Sequence, residues 1–116
     1  MALNTIWHNP RCAKSRTALK LLNDRSIDVT VFYYLNEIIN YEDLMLVVKK
    51  LSIPTIQLVR KNEKIFCSLG LSCSSKDEVL IQAMLQNPIL VERPIVLSGE
   101  RAVIGRPPER VLELFN

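Results

Sequence analysis

The sequence predicts an α/β fold in the order β-α-β, a helical insertion, then β-β-α. Three observations predict it. Two β-branched runs near the N-terminus flank one amphipathic stretch. The middle of the chain, about 40–88, has apolar residues at helical spacing. The last third returns to two short apolar runs joined by a tight connection.

The elements follow in chain order. Leu3 to Trp7 is a short apolar run ended by Asn9-Pro10, and it reads as a buried strand. From Cys12 to about Asn23, Ala13, Ala18, Leu19, Leu21 and Leu22 support an amphipathic helix. Asp28 to Tyr34 is rich in β-branched and aromatic residues and reads as a second strand. The crossover between the two strands has the length of one helix, so they are expected to run parallel. In the middle, Tyr41 to Leu51 places Leu44, Val47, Val48 and Leu51 on one helical face. Pro54 suits a first helical turn and opens a short helix through Arg60. Ser75 and Glu78 have the spacing of a capping box, with Ser75 as N-cap, for a helix that stops before Asn87-Pro88. Pro94 to Leu97 and Ala102 to Ile104 flank Ser98-Gly99-Glu100-Arg101, a hairpin connection. Glu109 to Phe115 closes the chain as a helix.

Composition bounds the function. A chain of 116 residues makes a single domain, 1–116, with the helical insert inside it. Hydrophobic residues are 48% and charged residues 23%, ordinary for a globular protein. No apolar run approaches the roughly 20 residues that span a bilayer, and no secretory signal pattern opens the chain. The net charge is +3, but Lys and Arg are scattered in pairs such as Lys49-Lys50 and Arg60-Lys61 rather than gathered in a stripe. Neither nucleic acid nor membrane is therefore expected as a partner. Three cysteines without paired spacing suggest reduced thiols and a cytoplasmic protein. One histidine and that cysteine spacing fit no metal-ligand pattern.

The segment Trp7-His8-Asn9-Pro10-Arg11-Cys12-Ala13-Lys14-Ser15-Arg16 carries the chemistry. Cys12 falls after a strand and at a helix start, where free backbone N–H groups and the helix dipole stabilise a thiolate. Arg11, Lys14 and Arg16 add positive charge nearby. The thiolate is the nucleophile, and such surroundings depress a thiol pKa. The same N–H groups would seat an oxyanion, so nucleophile and anion seat coincide. Cys12-Ala13-Lys14-Ser15 is a Cys-x-x-Ser motif, so any disulfide must be resolved by a thiol elsewhere. A tyrosine-phosphatase loop would need Arg six residues after the cysteine, where this chain has Ala18. His8 is open to two readings, tuning of the thiol or a hydrogen-bonded strand end. Ser15 either donates to the thiolate or faces solvent. Arg93-Pro94 is either a rigid turn with a surface arginine or a cis-proline that aims Arg93 at Cys12. Arg106-Pro107 repeats the pattern. Cys67 and Cys73 lack flanking basic clusters and read as small, half-buried residues.

The run His8 to Arg16 resembles the signature loop of the glutaredoxin-dependent, ArsC-type arsenate reductases. The resemblance continues through Leu58-Val59-Arg60-Lys61-Asn62, Leu69-Gly70-Leu71, Asn87 to Val96, and Ile104-Gly105-Arg106-Pro107-Pro108-Glu109. It covers nearly the whole chain. The last of these stretches, together with an end at Asn116, resembles a short branch of the family. The resemblance implies a thioredoxin-like fold with a helical insertion. It implies that Cys12 attacks arsenate, and that Arg60, Arg93 and Arg106 bind the oxyanion. It further implies that Pro94 is a cis-proline and that His8 and Ser15 tune the cysteine, as the nearby charge of Arg16 is also expected to do. The implied reductants are external glutathione and glutaredoxin, with no bound cofactor or metal. Two other readings share the fold. One is an Spx-like transcription regulator that binds RNA polymerase; regulators of that kind carry Cys-x-x-Cys, where this chain has Ser15. The other is a glutathione-dependent thiol oxidoreductase that does not use arsenate.

Overall fold

A computed structural model of the protein describes residues 4–115. Leu3, the first residue of the expected first strand, lies outside the described residues. The chain divides into two compact units: residues 4–37 with 93–115, and residues 38–92.

The first unit is built on a four-stranded sheet. Its strands are β1 (Asn4–Trp7), β2 (Thr30–Phe32), β3 (Ile95–Ser98) and β4 (Arg101–Ile104), in the spatial order β2-β1-β3-β4. β1 and β2 are parallel, with Thr5 opposite Thr30 and Trp7 opposite Phe32. Helix α1 (Ala13–Asp24) makes the crossover between them. β3 runs antiparallel to β1, with Ile6 opposite Val96, and β4 antiparallel to β3. Ser98 and Arg101 pair across a two-residue turn. Gly99 there has φ +59°, a conformation that only a residue without Cβ adopts freely. A 3-10 helix, Pro108–Phe115, closes the unit, where the sequence places a closing helix over Glu109 to Phe115. This is a thioredoxin-like sheet, β-α-β joined to β-β-α.

The apolar spacing read from the sequence makes the core. Ile6, Val96 and Val103 from the sheet meet Ala18 and Leu22 of α1 and Val111 and Leu114 of the closing helix. Arg101 anchors that helix through Nη2, which donates to the Leu114 carbonyl at 2.6 Å. β2 is shorter than the predicted 28–34 because the chain turns directly after Phe32. The amide of Asn36 closes that turn on the Tyr33 carbonyl at 2.9 Å.

The start of β3 is held tightly. The Arg93–Pro94 peptide is cis, as is Arg106–Pro107. The Gly105 N–H donates to the Pro94 carbonyl at 2.8 Å. A Cβ on Gly105 would lie 2.8 Å from Pro94 Cγ and 2.9 Å from Val111 Cγ1. Neither ring nor branched side chain can retreat cheaply from such contacts. Gly105→Ala is therefore expected to destabilise the fold by about 1–3 kcal/mol, the usual cost of overpacking. The midpoint of urea unfolding measures it, and an unchanged midpoint would contradict the packing.

The second unit is helical. It holds α2 (Tyr41–Leu51), α3 (Lys64–Ser68), α4 (Asp77–Gln86) and two 3-10 turns, Thr55–Leu58 and Pro88–Leu90. Asn40 caps α2 by accepting the Asp43 N–H at 2.8 Å. Leu44 and Val47 of α2 and Leu80 and Met84 of α4 are buried. Two expectations fail here. The helix opened by Pro54 is a single 3-10 turn that ends at Leu58, so Arg60 does not close it. Val59 instead bridges Val91, and the Arg60 N–H donates to the Leu90 carbonyl at 2.7 Å. The capping box is also absent. α4 starts at Asp77 with Lys76 as N-cap, and the Ser75 hydroxyl accepts the N–H of Ser72 instead. A serine that closes its own loop cannot also cap the following helix. Among the described residues no helix is long and apolar enough to cross a membrane.

Candidate active site

Cys12 ends the loop between β1 and α1. It is the N-cap residue of α1, in extended conformation at φ −96° and ψ 122°. Its carbonyl accepts the Arg16 N–H at 3.0 Å and so starts the helix, while its own N–H donates to the Asn9 carbonyl at 3.0 Å. The side chain is half-buried. Burial pushes the thiol pKa up, but three groups outweigh it and the net shift is downward. The N–H of Ser15 and that of Lys14 point at the sulfur, and the Arg93 guanidinium faces it with a hydrogen bond and a positive charge. These are the unpaired donors of a first helical turn, which stabilise an anion at the helix start.

The cation that acts on Cys12 is thus Arg93, eighty-one residues away in sequence, not the flanking basic residues. Arg16 donates from Nη1 to the Pro10 carbonyl at 2.8 Å, and its charge acts on His8. Arg11 and Lys14 are exposed at the helix start, and Lys14 acts on the thiol through its backbone N–H. Sequence proximity misled here because side chains at a helix start project outward while its N–H groups converge on the cap.

His8 and Ser15 form the buried support of the loop. His8 Nδ1 and Ser15 Oγ lie 2.6 Å apart, and the same oxygen accepts the Asn9 N–H at 3.1 Å. Ser15 therefore neither faces solvent nor donates its hydroxyl to the sulfur. Burial lowers the His8 pKa, and Arg16 lowers it further, so the imidazole stays neutral at pH 7. Ser15→Ala would leave two buried polar groups without their partner. A loss of about 1–3 kcal/mol in unfolding free energy is expected, together with slower Cys12 alkylation. A variant as stable and as reactive as the wild type would contradict that support role.

The sequence reads Asn9 as part of a strand-ending Asn-Pro pair and of the Cys12 segment, with no role of its own. It is 6% exposed, and its Oδ1 accepts the Arg11 N–H at 3.0 Å. With its N–H and carbonyl also engaged, it ties the loop to Ser15, Arg11 and Cys12. The signal was present, since an Asn before Pro commonly starts a turn with its own side chain.

Two of the three arginines stand in the unit of Cys12. The Arg93 Nε and Nη1 are buried without a hydrogen-bond partner. Arg106 Nε donates to the Arg93 carbonyl at 2.8 Å, which brings the two cis-proline turns together. A buried guanidinium with unpaired N–H groups suits an oxyanion, which accepts from the planar fork. Arg60 belongs to the second unit. There its Nε is 3.1 Å from Glu63 and its Nη1 is 2.9 Å from Glu92. Cys67 and Cys73, also in that unit, are exposed. Among the described residues no cluster could hold a metal ion.

The geometry thus places a cysteine with a depressed thiol pKa at the first helix of a thioredoxin-like sheet, facing an arginine on a cis-proline turn. The chain belongs to the ArsC family, whose family model matches residues 7–114. Uncharacterized protein YfgD of Escherichia coli (strain K12) is 44% identical over 96% of this chain and 95% of its own. An arsenate reductase of Haemophilus influenzae is 39% identical over 95% of this chain and 97% of its own. Among solved structures, an arsenate reductase from Vibrio cholerae superposes with a TM-score of 0.92. It is 37% identical, and the match covers 97% of both chains. The relatives named arsenate reductase support an oxidoreductase.

Proposed function

We propose that the protein reduces arsenate with external thiols. The observation that carries this reading is the pairing of the depressed Cys12 thiol with the buried, unpaired N–H groups of Arg93. The Cys12 thiolate attacks the arsenic of arsenate and displaces hydroxide, which leaves as water after protonation, giving a thiol–arsenate adduct. Arg93 and Arg106 hold the oxyanion oxygens and stabilise the charge that develops on them. Glutathione then attacks the Cys12 sulfur of the adduct: the S–S bond of a Cys12–glutathione disulfide forms, the S–As bond breaks with its electron pair left on arsenic, and glutaredoxin resolves this mixed disulfide by taking over the glutathione. The two thiols lose the two electrons that carry As(V) to As(III), arsenite leaves, and Cys12 returns as thiolate. The cytoplasm supplies both reductants. The signature pattern also implies Arg60 as an oxyanion ligand, an expectation that the KM of Arg60→Ala for arsenate tests.

The test is a coupled assay that follows NADPH consumption with arsenate, glutathione, glutaredoxin and glutathione reductase. Turnover that requires arsenate and both thiols is expected. Turnover with a small disulfide but not with arsenate would replace this reading by a thiol oxidoreductase. No turnover, with co-purification of RNA polymerase, would replace it by a regulator.

A further inference from the structure

We infer that a cavity beside the Cys12 loop anchors a carboxylate of the peptide thiol that reduces the enzyme. The inference rests on the thiol-dependent reading above. The cavity has a volume of about 250 Å³, and His8, Asn9, Arg11, Tyr33 and Asn36 contribute its polar lining. All five belong to the unit that carries Cys12.

The lining holds uncommitted polar groups. His8 and Asn9 are 5% and 6% exposed. Each spends one side-chain atom inside the loop: Nδ1 of His8 on Ser15, Oδ1 of Asn9 on Arg11. His8 Nε2 and Asn9 Nδ2 have no hydrogen-bond partner among the described residues, and neither do the side chains of Arg11, Tyr33 and Asn36. His8 and Asn9 are buried residues that each line the cavity with an unpaired side-chain nitrogen, and the exposed Arg11, Tyr33 and Asn36 stand around them, so polar groups converge on the space as they do in a site for a polar ligand. The groups are mainly donors, and Arg11 adds a full positive charge. The nearby carboxylate of Glu37 already accepts the Tyr33 N–H. The chemistry selected is therefore a carboxylate.

Size and reach select the thiol. At roughly 30 Å³ per water-sized group, the cavity takes about eight such groups, the scale of one amino-acid end of a peptide. Arg11 is the chain neighbour of Cys12, with Cα atoms about 3.8 Å apart, and an extended tripeptide spans roughly 10 Å. A peptide thiol held by one carboxylate at Arg11 therefore has the length to bring its sulfur to the neighbouring residue, Cys12. Ser15 stands where a Cys-x-x-Cys motif has its resolving cysteine, so Cys12 has no resolving thiol within its own motif.

The test uses S-methylglutathione, which keeps the carboxylates and cannot react, titrated into ¹⁵N-labelled protein without arsenate. Saturable amide shifts confined to residues 8–11 and 33–36 are expected. Binding should weaken about tenfold in Arg11→Ala and for the diethyl ester, since a charge-assisted hydrogen bond is lost in each case. Unchanged shifts elsewhere in the Arg11→Ala spectrum show that the variant is folded. Shifts centred elsewhere, equal affinity for the ester, or complete displacement by equimolar succinate would overturn the assignment. Because arsenate is absent, failure of arsenate reduction and failure of this site are read separately.

Discussion

Cys12→Ser is expected to abolish thiol-coupled arsenate reduction, while Cys67→Ser and Cys73→Ser keep most of it. The serine would occupy the same N-cap and accept the same N–H groups. Its hydroxyl, however, does not ionise near neutral pH, so the Ser15 and Lys14 N–H groups and Arg93 have no anion to stabilise. The other two thiols are exposed and lie in residues 38–92, outside the loop that seats Cys12. NADPH consumption in the coupled assay measures all three variants. Wild-type turnover in Cys12→Ser would sink the mechanism, and a total loss in Cys67→Ser or Cys73→Ser would assign the resolving thiol to the chain itself.

Arg93→Ala is expected to lower kcat/KM for arsenate by roughly 10²–10³, the usual effect of removing one oxyanion donor. It should also move the pH profile of Cys12 alkylation upward. The sign follows from the thiolate being the charged form: a positive group beside it lowers the pKa, and removing that group raises it. At pH 7 the variant therefore holds less thiolate and alkylates more slowly. Arg93→Lys keeps a charge but not the planar fork, so it should restore the alkylation profile better than the turnover. Loss of turnover with an unmoved alkylation profile would place Arg93 on the substrate alone. A variant equal to the wild type in both would remove it from the site.

How far the sequence reached can be judged from these residues. The order of elements was legible, because periodicity near 3.6 and runs of β-branched residues are local signals. The Cys12 placement was legible for the same reason, since a helix start activates whatever stands at its cap. The source of positive charge was legible only as an open alternative, since Arg93-Pro94 reads equally as a rigid turn with a surface arginine or as a cis-proline that aims Arg93 at Cys12. Arg93 meets Cys12 only because β1 and β3 are neighbours in the sheet, a pairing across the whole insertion. The signature resemblance named Arg93 without supplying the geometry. The Ser75 cap failed because a hydroxyl has rival acceptor roles, and sequence spacing does not reveal which one the loop takes. The buried bonds of Ser15 were missed because a first-turn serine reads as exposed, whereas here His8 returns to it from the strand end.

The position of residues 93–94 has a consequence for how such a chain can change over time. Arg93 is the first residue of the returning segment, and Pro94 beside it is fixed against Gly105 of the sheet unit. The thiol and the cation that activates it are thus inherited together as one module. Exchange of residues 38–92 for the same stretch of a homologue is therefore expected to leave the alkylation profile of Cys12 unchanged. Chimeras that swap this stretch would show whether diversity in the lineage sits in the insertion while the thiol chemistry is conserved.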